Sequence, residues 1–299
     1  MGALRGWWTV GDDCAMPSSA LRTFHHHDFS APELVAAKGK TTISVCLPAR
    51  DEGRTIGAIV ESIRHHLIDA TPLVDELIVV DDGSTDRTAA AAATAGATVV
   101  AASDIAPDYP GPGKGQALWK SLHASSGDVV VWCDADIENF GPRFVTGLVG
   151  PLMTRPGVDF VKGFYERPLD GKPGEGGRVT ELVARPLLSL LFPALSAVVQ
   201  PLAGEYAGRR RVLERLPFAP GWGVDLALLI DLLGEIGLER MAQVDLGTRV
   251  HRNRRLADLT PQSEAILATV LERAGVDVAT EIADLPPLTE IPAYRRRSA

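Results

Sequence analysis

Apolar residues along this chain gather in short unbroken runs, and the runs alternate with stretches of helical spacing. "TTISVCLPA" reads as a buried strand, and "GRTIGAIVESIRHHL" follows it with Ile56, Ile59, Val60 and Ile63 on one helix face. "VDELIVVDDGSTD" is a second strand that ends in a turn, and "RTAAAAATAGA" is a helix closed by Gly96. "TVVAA", "GKGQALWKSLHAS" and "GDVVVWCDAD" continue as strand, helix and strand. Strands that are apolar throughout must be covered on both faces, so the pattern predicts an α/β fold with a doubly wound, mostly parallel sheet. Beyond Gly141 the chain turns more helical, with "RVTELVARPLLSLL" and "VDLALLIDLLGEIGL" as its strongest helices. The expected division is an N-terminal extension over 1–40, an α/β half over 41–140, a second half of the same domain over 141–275, and a tail over 276–299.

Composition narrows the class. A chain of 299 residues that is 45% hydrophobic can bury a large core, and a net charge of -8 argues against a general nucleic-acid binder. Cys14, Cys46 and Cys133 are an odd set, two of them inside apolar runs, which predicts free thiols and a cytoplasmic setting. The start of the chain lacks the apolar stretch of a secretory signal. The segment 182–203 is apolar enough to suggest a membrane span, but Arg185, Pro186, Pro193 and Pro201 interrupt it, so no membrane association is expected. His25, His26 and His27 fall where no period is visible and read as a solvated feature. The apolar C-terminal half predicts a homodimer.

In doubly wound sheets the ligand crevice lies at the carboxyl ends of the strands. The polar clusters "PARDEG", "DDGSTD" and "DADIEN" each follow a strand and should open onto it together. Asp134 and Asp136 share a face if the strand is still extended there, and paired carboxylates suit Mg2+ or Mn2+, the ions that bridge diphosphates. Two acids that merely solvate a strand end are the plainer reading; the buried run before them weighs against it. Lys114 stands between Gly113 and Gly115 before a helix, where backbone and ammonium can receive an anion, although a solvated turn explains the triplet equally well. Asp81 or Asp82 can accept from a base or ribose, while Ser84 or Thr85 caps the next helix. "RVHRNRR" concentrates Arg249, His251, Arg252, Asn253, Arg254 and Arg255 in an acidic chain, as a third metal ligand with an anion pocket or as a basic loop. "GEGGRVTEL" opens a helix with Arg178 and Thr180, a geometry for a phosphate or carboxylate, or for ordinary capping.

Together "LPARDEGRTI", "VVDDGSTD", "GPGKGQALW", "DADIEN", "GGRVTELVARPLL", "QPLAGEYA", "LPFAPGWGVD" and "HRNR" resemble the actinobacterial glucosyl-3-phosphoglycerate and mannosyl-3-phosphoglycerate synthases, retaining glycosyltransferases of the GT-A fold. The likeness runs in order from about residue 33 to 275, and "GGRVTELVARPLL" and "QPLAGEYA" are its most specific parts. It implies a nucleoside-diphosphate sugar and 3-phosphoglycerate as substrates and a divalent metal as cofactor. It implies that Pro48, Ala49, Asp51 and Glu52 hold the nucleoside, that Asp82 meets the base, and that Lys114 lies near the nucleotide. Asp134 and Ala135 would touch the nucleotide, and Asp136 and His251 would hold the metal. Gly177, Arg178, Thr180 and Asn253 match the acceptor pocket, and Arg249 is placed for the diphosphate or acceptor.

The chain departs from the glucosyl enzymes in reading "PARDE" for Pro-Ala-Leu-Asn-Glu, Asp82 and Ala135 for serines, and Asp225 for a glutamate. An aspartate at the base could accept both guanine donors or the one N3–H of uracil. The reading favoured on this ground is GDP-mannose as donor, with GDP- or UDP-glucose as the alternative. Asp225 would act as a general base only if the anomeric configuration inverted. The rival readings are a sugar-phosphate nucleotidyltransferase, a membrane polysaccharide synthase and a non-catalytic nucleotide-sugar-binding protein.

Overall fold

Val129 and Val131 face one side of their strand and Val130 and Trp132 the other, and all four are buried. Both faces of the sheet are therefore covered by helices, as unbroken apolar strands require. The computed structural model describes residues 21–168, 177–251, 255–279, 282–292 and 294. Among them one sheet contains β1 (Arg22–His25), β2 (Ile43–Ala49), β3 (Glu76–Asp81), β4 (Thr98–Ala101), β5 (Val129–Trp132), β6 (Phe160–Glu166), β7 (Tyr206–Arg209) and β8 (Met241–Thr248). Its order is β1-β8-β6-β7-β5-β2-β3-β4, and β7 alone runs antiparallel to its neighbours.

Cys46 sits opposite both Ile78 of β3 and Trp132 of β5, so β2, β3 and β5 all end along one rim. The helices are α1 (Ala31–Lys38), α2 (Ile56–Ile63), α3 (Thr88–Ala95), α4 (Lys114–Ala124), α5 (Arg143–Thr154), α6 (Arg185–Leu191), α7 (Arg210–Leu213), α8 (Val224–Ile236) and α9 (Thr260–Arg273). One face of the sheet packs against α1, α2, α3 and α5, the other against α4, α6, α7, α8 and α9. In α2 the four residues picked out by spacing, Ile56, Ile59, Val60 and Ile63, are fully buried, each worth roughly 1.5–3 kcal/mol of transfer free energy.

Several elements differ from the sequence expectation. Residues 21–40 supply β1 and α1, and β1 pairs in parallel with β8. Residues 141–275 contribute three strands, β6, β7 and β8, where the pattern had suggested mainly helix. β5 stops at Trp132, so Asp134 and Asp136 lie in the following turn rather than on an extended strand face. Residues 285–288 are packed down: Leu285 bridges to Phe218, Pro286 O accepts from Trp119 Nε1 at 2.8 Å, and Leu288 is buried. Among the described residues no helix is long and apolar enough to cross a membrane. Cys46 and Cys133 are free and buried; Cys14 lies outside the described residues.

Candidate active site

The rim where β2, β3 and β5 end opens into a cavity of about 500 Å³. Pro48, Ala49 and Glu52 reach it from the β2 end, Asp82 from the β3 end, Asp134, Ala135 and Asp136 from the turn after β5, and Gly113 and Lys114 from the start of α4. Gly177, Arg178 and Thr180 line it from the segment before α6, Asp225 from α8, and Arg249 and His251 from the chain beyond β8. Most of the candidate residues that the structure describes thus converge on one cavity; Asp51, Asp81 and Arg255 do not line it. Asp51, at a φ of 56°, spends its carboxylate on Thr85, accepting from the backbone N–H at 2.8 Å and from the hydroxyl at 3.1 Å. It ties the loop after β2 to the loop after β3 and stays out of the cavity wall. Asn253 lies outside the described residues.

Charge organises the floor of the cavity. The Lys114 ammonium lies 3.0 Å from Asp225 and 3.3 Å from Asp134. Burial works against its charge, yet the two carboxylates outweigh that cost and raise its pKa above the usual lysine range. Arg249 Nη2 lies 3.1 Å from Asp134 and 2.5 Å from Asp136, bridging the pair. Burial alone would push the Asp134 carboxyl up; Lys114, Arg249 and Arg167 together hold it well below the usual carboxylate range. The oxygens of the Asp-x-Asp pair therefore converge on one cationic atom even though no extended strand aligns them.

Beneath Arg249 lies a group that the sequence reading did not single out. Glu205 is fully buried, 3.4 Å from Arg249 Nε, and accepts a 2.5 Å bond from the Tyr165 hydroxyl. Arg167 in turn donates to that hydroxyl at 2.6 Å. Burial raises the Glu205 pKa, and Arg249 opposes the rise. Trp222, Gln262 and Arg50 also line the cavity without having been foreseen. The one signal for Glu205 was its place in "QPLAGEYA", beside Gly204, where any Cβ would overlap the Asp134 carboxylate.

The nucleotide end is shaped differently. Asp82 is buried, and its Oδ2 accepts from the Gly113 N–H at 2.9 Å with Arg50 at 3.7 Å. Burial raises its pKa, and the Gly113 bond resists the rise. Gly113 holds a φ of 137°, which a side chain rarely adopts, so the turn before α4 can press its backbone on this carboxylate.

His251 lies beside the acids with its pKa pushed down to about 4 by burial and by Arg249 and Arg167. A neutral imidazole has a lone pair to give, and with the Asp136 carboxylate it makes an N/O donor set suited to Mn2+ or Mg2+. Among the described residues, one group of three donor side chains comes within 4.8 Å, and it is His25, His26 and His27. The His25 and His27 rings stack at 4.6 Å and 9°, the His26 ring is tilted against both by 30° and 38°, and His25 Nδ1 already accepts from the His27 N–H. That bond, with the Asp28 carboxylate accepting from the His25 N–H, ties the run to its own turn, and it reads as a structural feature.

The profile described as Glycosyl transferase family 2 matches residues 44–215. A glucosyl-3-phosphoglycerate synthase of Mycolicibacterium paratuberculosis is 52% identical over 265 residues, covering 86% of this chain and 80% of that protein. One from Petrotoga mobilis is 48% identical over 275 residues, covering 88% and 85%. Among solved structures, glucosyl-3-phosphoglycerate synthase of Mycobacterium tuberculosis with Mn2+, UDP-glucose and phosphoglyceric acid superposes with a TM-score of 0.84 at 46% identity, covering 90% of this chain and 98% of that one. The same enzyme with Mg2+ and UDP gives 0.83.

Proposed function

The chain belongs to glycosyl transferase family 2 and, within it, to the glucosyl-3-phosphoglycerate synthases, and from that premise we propose that it moves glucose from UDP-glucose to 3-phosphoglycerate with retention at the anomeric carbon. It is a metal-dependent hexosyltransferase of the GT-A fold. The sequence reading had favoured GDP-mannose; the relatives are glucosyl enzymes, and UDP-glucose is the sugar nucleotide in the solved structure. One observation carries the choice of base here. Asp82 lines the cavity and its Oδ2 is engaged by the Gly113 N–H, with Arg50 on the same oxygen, which leaves Oδ1 to accept from a base. That matches the single N3–H of uracil better than the two adjacent donors of guanine.

The residues divide the work. Pro48, Ala49, Glu52 and Asp82 hold the uridine, while Asp134 and Ala135 lie against the nucleotide. Asp136 and His251 would hold the divalent ion, because a carboxylate and a neutral imidazole on the same cavity wall offer it an oxygen and a nitrogen donor. Once bound, the ion supplies Lewis-acid neutralisation of the diphosphate. Lys114 and Arg249 face the same charge as it builds on the leaving group, and being held in place they need no reorganisation. Asp225, paired with Lys114 at 3.0 Å, positions the ammonium and is not needed as a base. Gly177, Arg178 and Thr180, at the opening of a helical segment, present N–H groups, a guanidinium and a hydroxyl to the phosphate and carboxylate of the acceptor. The acceptor hydroxyl then attacks from the face that the diphosphate leaves, with its proton passing to the departing phosphate oxygen.

The test is incubation with UDP-glucose, GDP-glucose and GDP-mannose, each with Mg2+ and 3-phosphoglycerate, with the product read by NMR. UDP-glucose is expected to give glucosyl-3-phosphoglycerate with its anomeric configuration kept, and GDP-mannose a kcat/KM lower by roughly 100-fold. Faster use of GDP-mannose, an inverted linkage, or pyrophosphate release from a nucleoside triphosphate and a sugar phosphate would overturn the proposal.

A further inference from the structure

Asp159 stands just before β6, is 2% exposed, and holds three arginines at once. Arg209 Nε is 3.3 Å away, Arg211 Nη2 is 2.6 Å away, and Arg240 Nη2 closes on the other oxygen. One guanidinium would neutralise the carboxylate; the chain spends three, leaving two positive charges uncompensated at this spot in a protein of net charge -8. Arg155, whose guanidinium lies over the Phe24 ring at 5.5 Å, joins these residues and the rest of the 152–158 segment in lining a separate cavity of about 390 Å³ at the end of α5. Part of the cluster is structural, since Arg209 Nη2 also donates to Leu152 O at 2.7 Å. Arg211 and Arg240 have no such second task among the described residues. Their side chains are 53% and 41% exposed, and Arg240 Nε is buried with no acceptor there.

We propose that this cluster is a second anion site, built for a tetrahedral phosphoryl dianion. Guanidinium forks bind phosphate oxygens two at a time, and like charges gathered around a single carboxylate are relieved by a second anion of higher charge. The site is remote from the catalytic cavity. β6 carries Asp159 before one end and Arg167 after the other, and β8 lies between Arg240 and Arg249, about 30 Å apart at roughly 3.3 Å per residue. β7 runs the opposite way, from Glu205 at the catalytic end to Arg209 at this one. The anion therefore does not compete for the acceptor pocket, and it tightens the same three strands that carry the Arg167–Glu205–Arg249 network.

The test is calorimetric titration of the full chain with inorganic phosphate, and separately with 3-phosphoglycerate. Saturable phosphate binding is expected in the wild type and in Arg178→Ala, with affinity about tenfold weaker in Arg211→Gln. Arg155→Ala, which leaves the three Asp159 pairs intact, should also weaken binding and guards against a variant that fails to fold. In the Arg178→Ala protein, tighter binding of 3-phosphoglycerate assigns the site to a phosphorylated metabolite, and equal binding assigns it to free phosphate. Absence of saturable binding, or binding abolished by Arg178→Ala yet unchanged in Arg211→Gln and Arg155→Ala, would sink the proposal.

Discussion

Asp134 has little room. Lys114 and Arg249 hold it by charge, and the absent side chain of Gly204 gives it the space it occupies. Gly204→Ala should therefore displace the carboxylate while leaving the fold standing; kcat is expected to fall about 100-fold, the usual cost of misplacing a group by an ångström. Steady-state kinetics beside a melting curve checks this, and a protein that melts as wild type with full activity contradicts it. Asp136 acts on a different readout: Asp136→Ala should weaken Mn2+ binding roughly 10- to 100-fold, as measured by electron paramagnetic resonance without substrates. Asp134 and Asp136 were legible because polar residues directly after an apolar strand have few other uses, Lys114 because it stands between two glycines before a helix, and Arg249 and His251 because a basic cluster stands out in an acidic chain. Glu205 was not, because a buried glutamate reveals its role only through partners forty residues away in Tyr165 and farther still in Arg249. Asp51 misled for a related reason: its neighbours in sequence reach the cavity, and its own carboxylate turns to Thr85.

At the scale of elements, α4 shows how a glycine can be required by packing alone. A Cβ on Gly115 would overlap the Ala219 carbonyl oxygen, so the first turn of α4 approaches the 219–221 backbone more closely than any side chain allows. Gly115→Ala is expected to lower stability by about 2–4 kcal/mol and to raise KM for the sugar nucleotide, since Lys114 begins the same helix. Chemical denaturation measures the first effect and initial rates the second; an unchanged midpoint would show that the 219–221 turn yields freely. The elements read from the sequence were those with long apolar runs or clean helical spacing, β2 to β5 and α2 to α4. β7 escaped because its four residues, Tyr206 to Arg209, include a glycine and an arginine and are too short to show a period. β6 and β8 carry Lys162 and Gln243 at buried positions, which breaks the apolar run that would have marked them.

Over the whole molecule, protonation links the sheet's outer edge to global stability. His26 packs against Gly147 of α5 and near Gly247, at the β1–β8 edge. Burial, with His27, His25 and Arg143 adding to it and Asp245 opposing, pushes its pKa down to about 4 from an ordinary value of 6.5. His251 is displaced to about 4 at the far end of β8. Between pH 6.5 and 4 both imidazoles bind fewer protons in the folded chain than in the unfolded one, so unfolding takes up protons and stability falls as the pH drops through that window. Asp82 and Glu205, whose pKa values are raised, bind protons more readily when folded and pull the other way, which makes the net slope a poor test. The difference between the wild type and His26→Asn isolates one ring. From pH 7 to pH 5 the variant should lose about 1 kcal/mol less stability than the wild type, because solvent screens a ring that is only partly covered. Urea midpoints at the two pH values decide it, and parallel losses would mean that His26 is protonated in the fold and that the β1–β8 edge is more open to water than its packing against Gly147 implies.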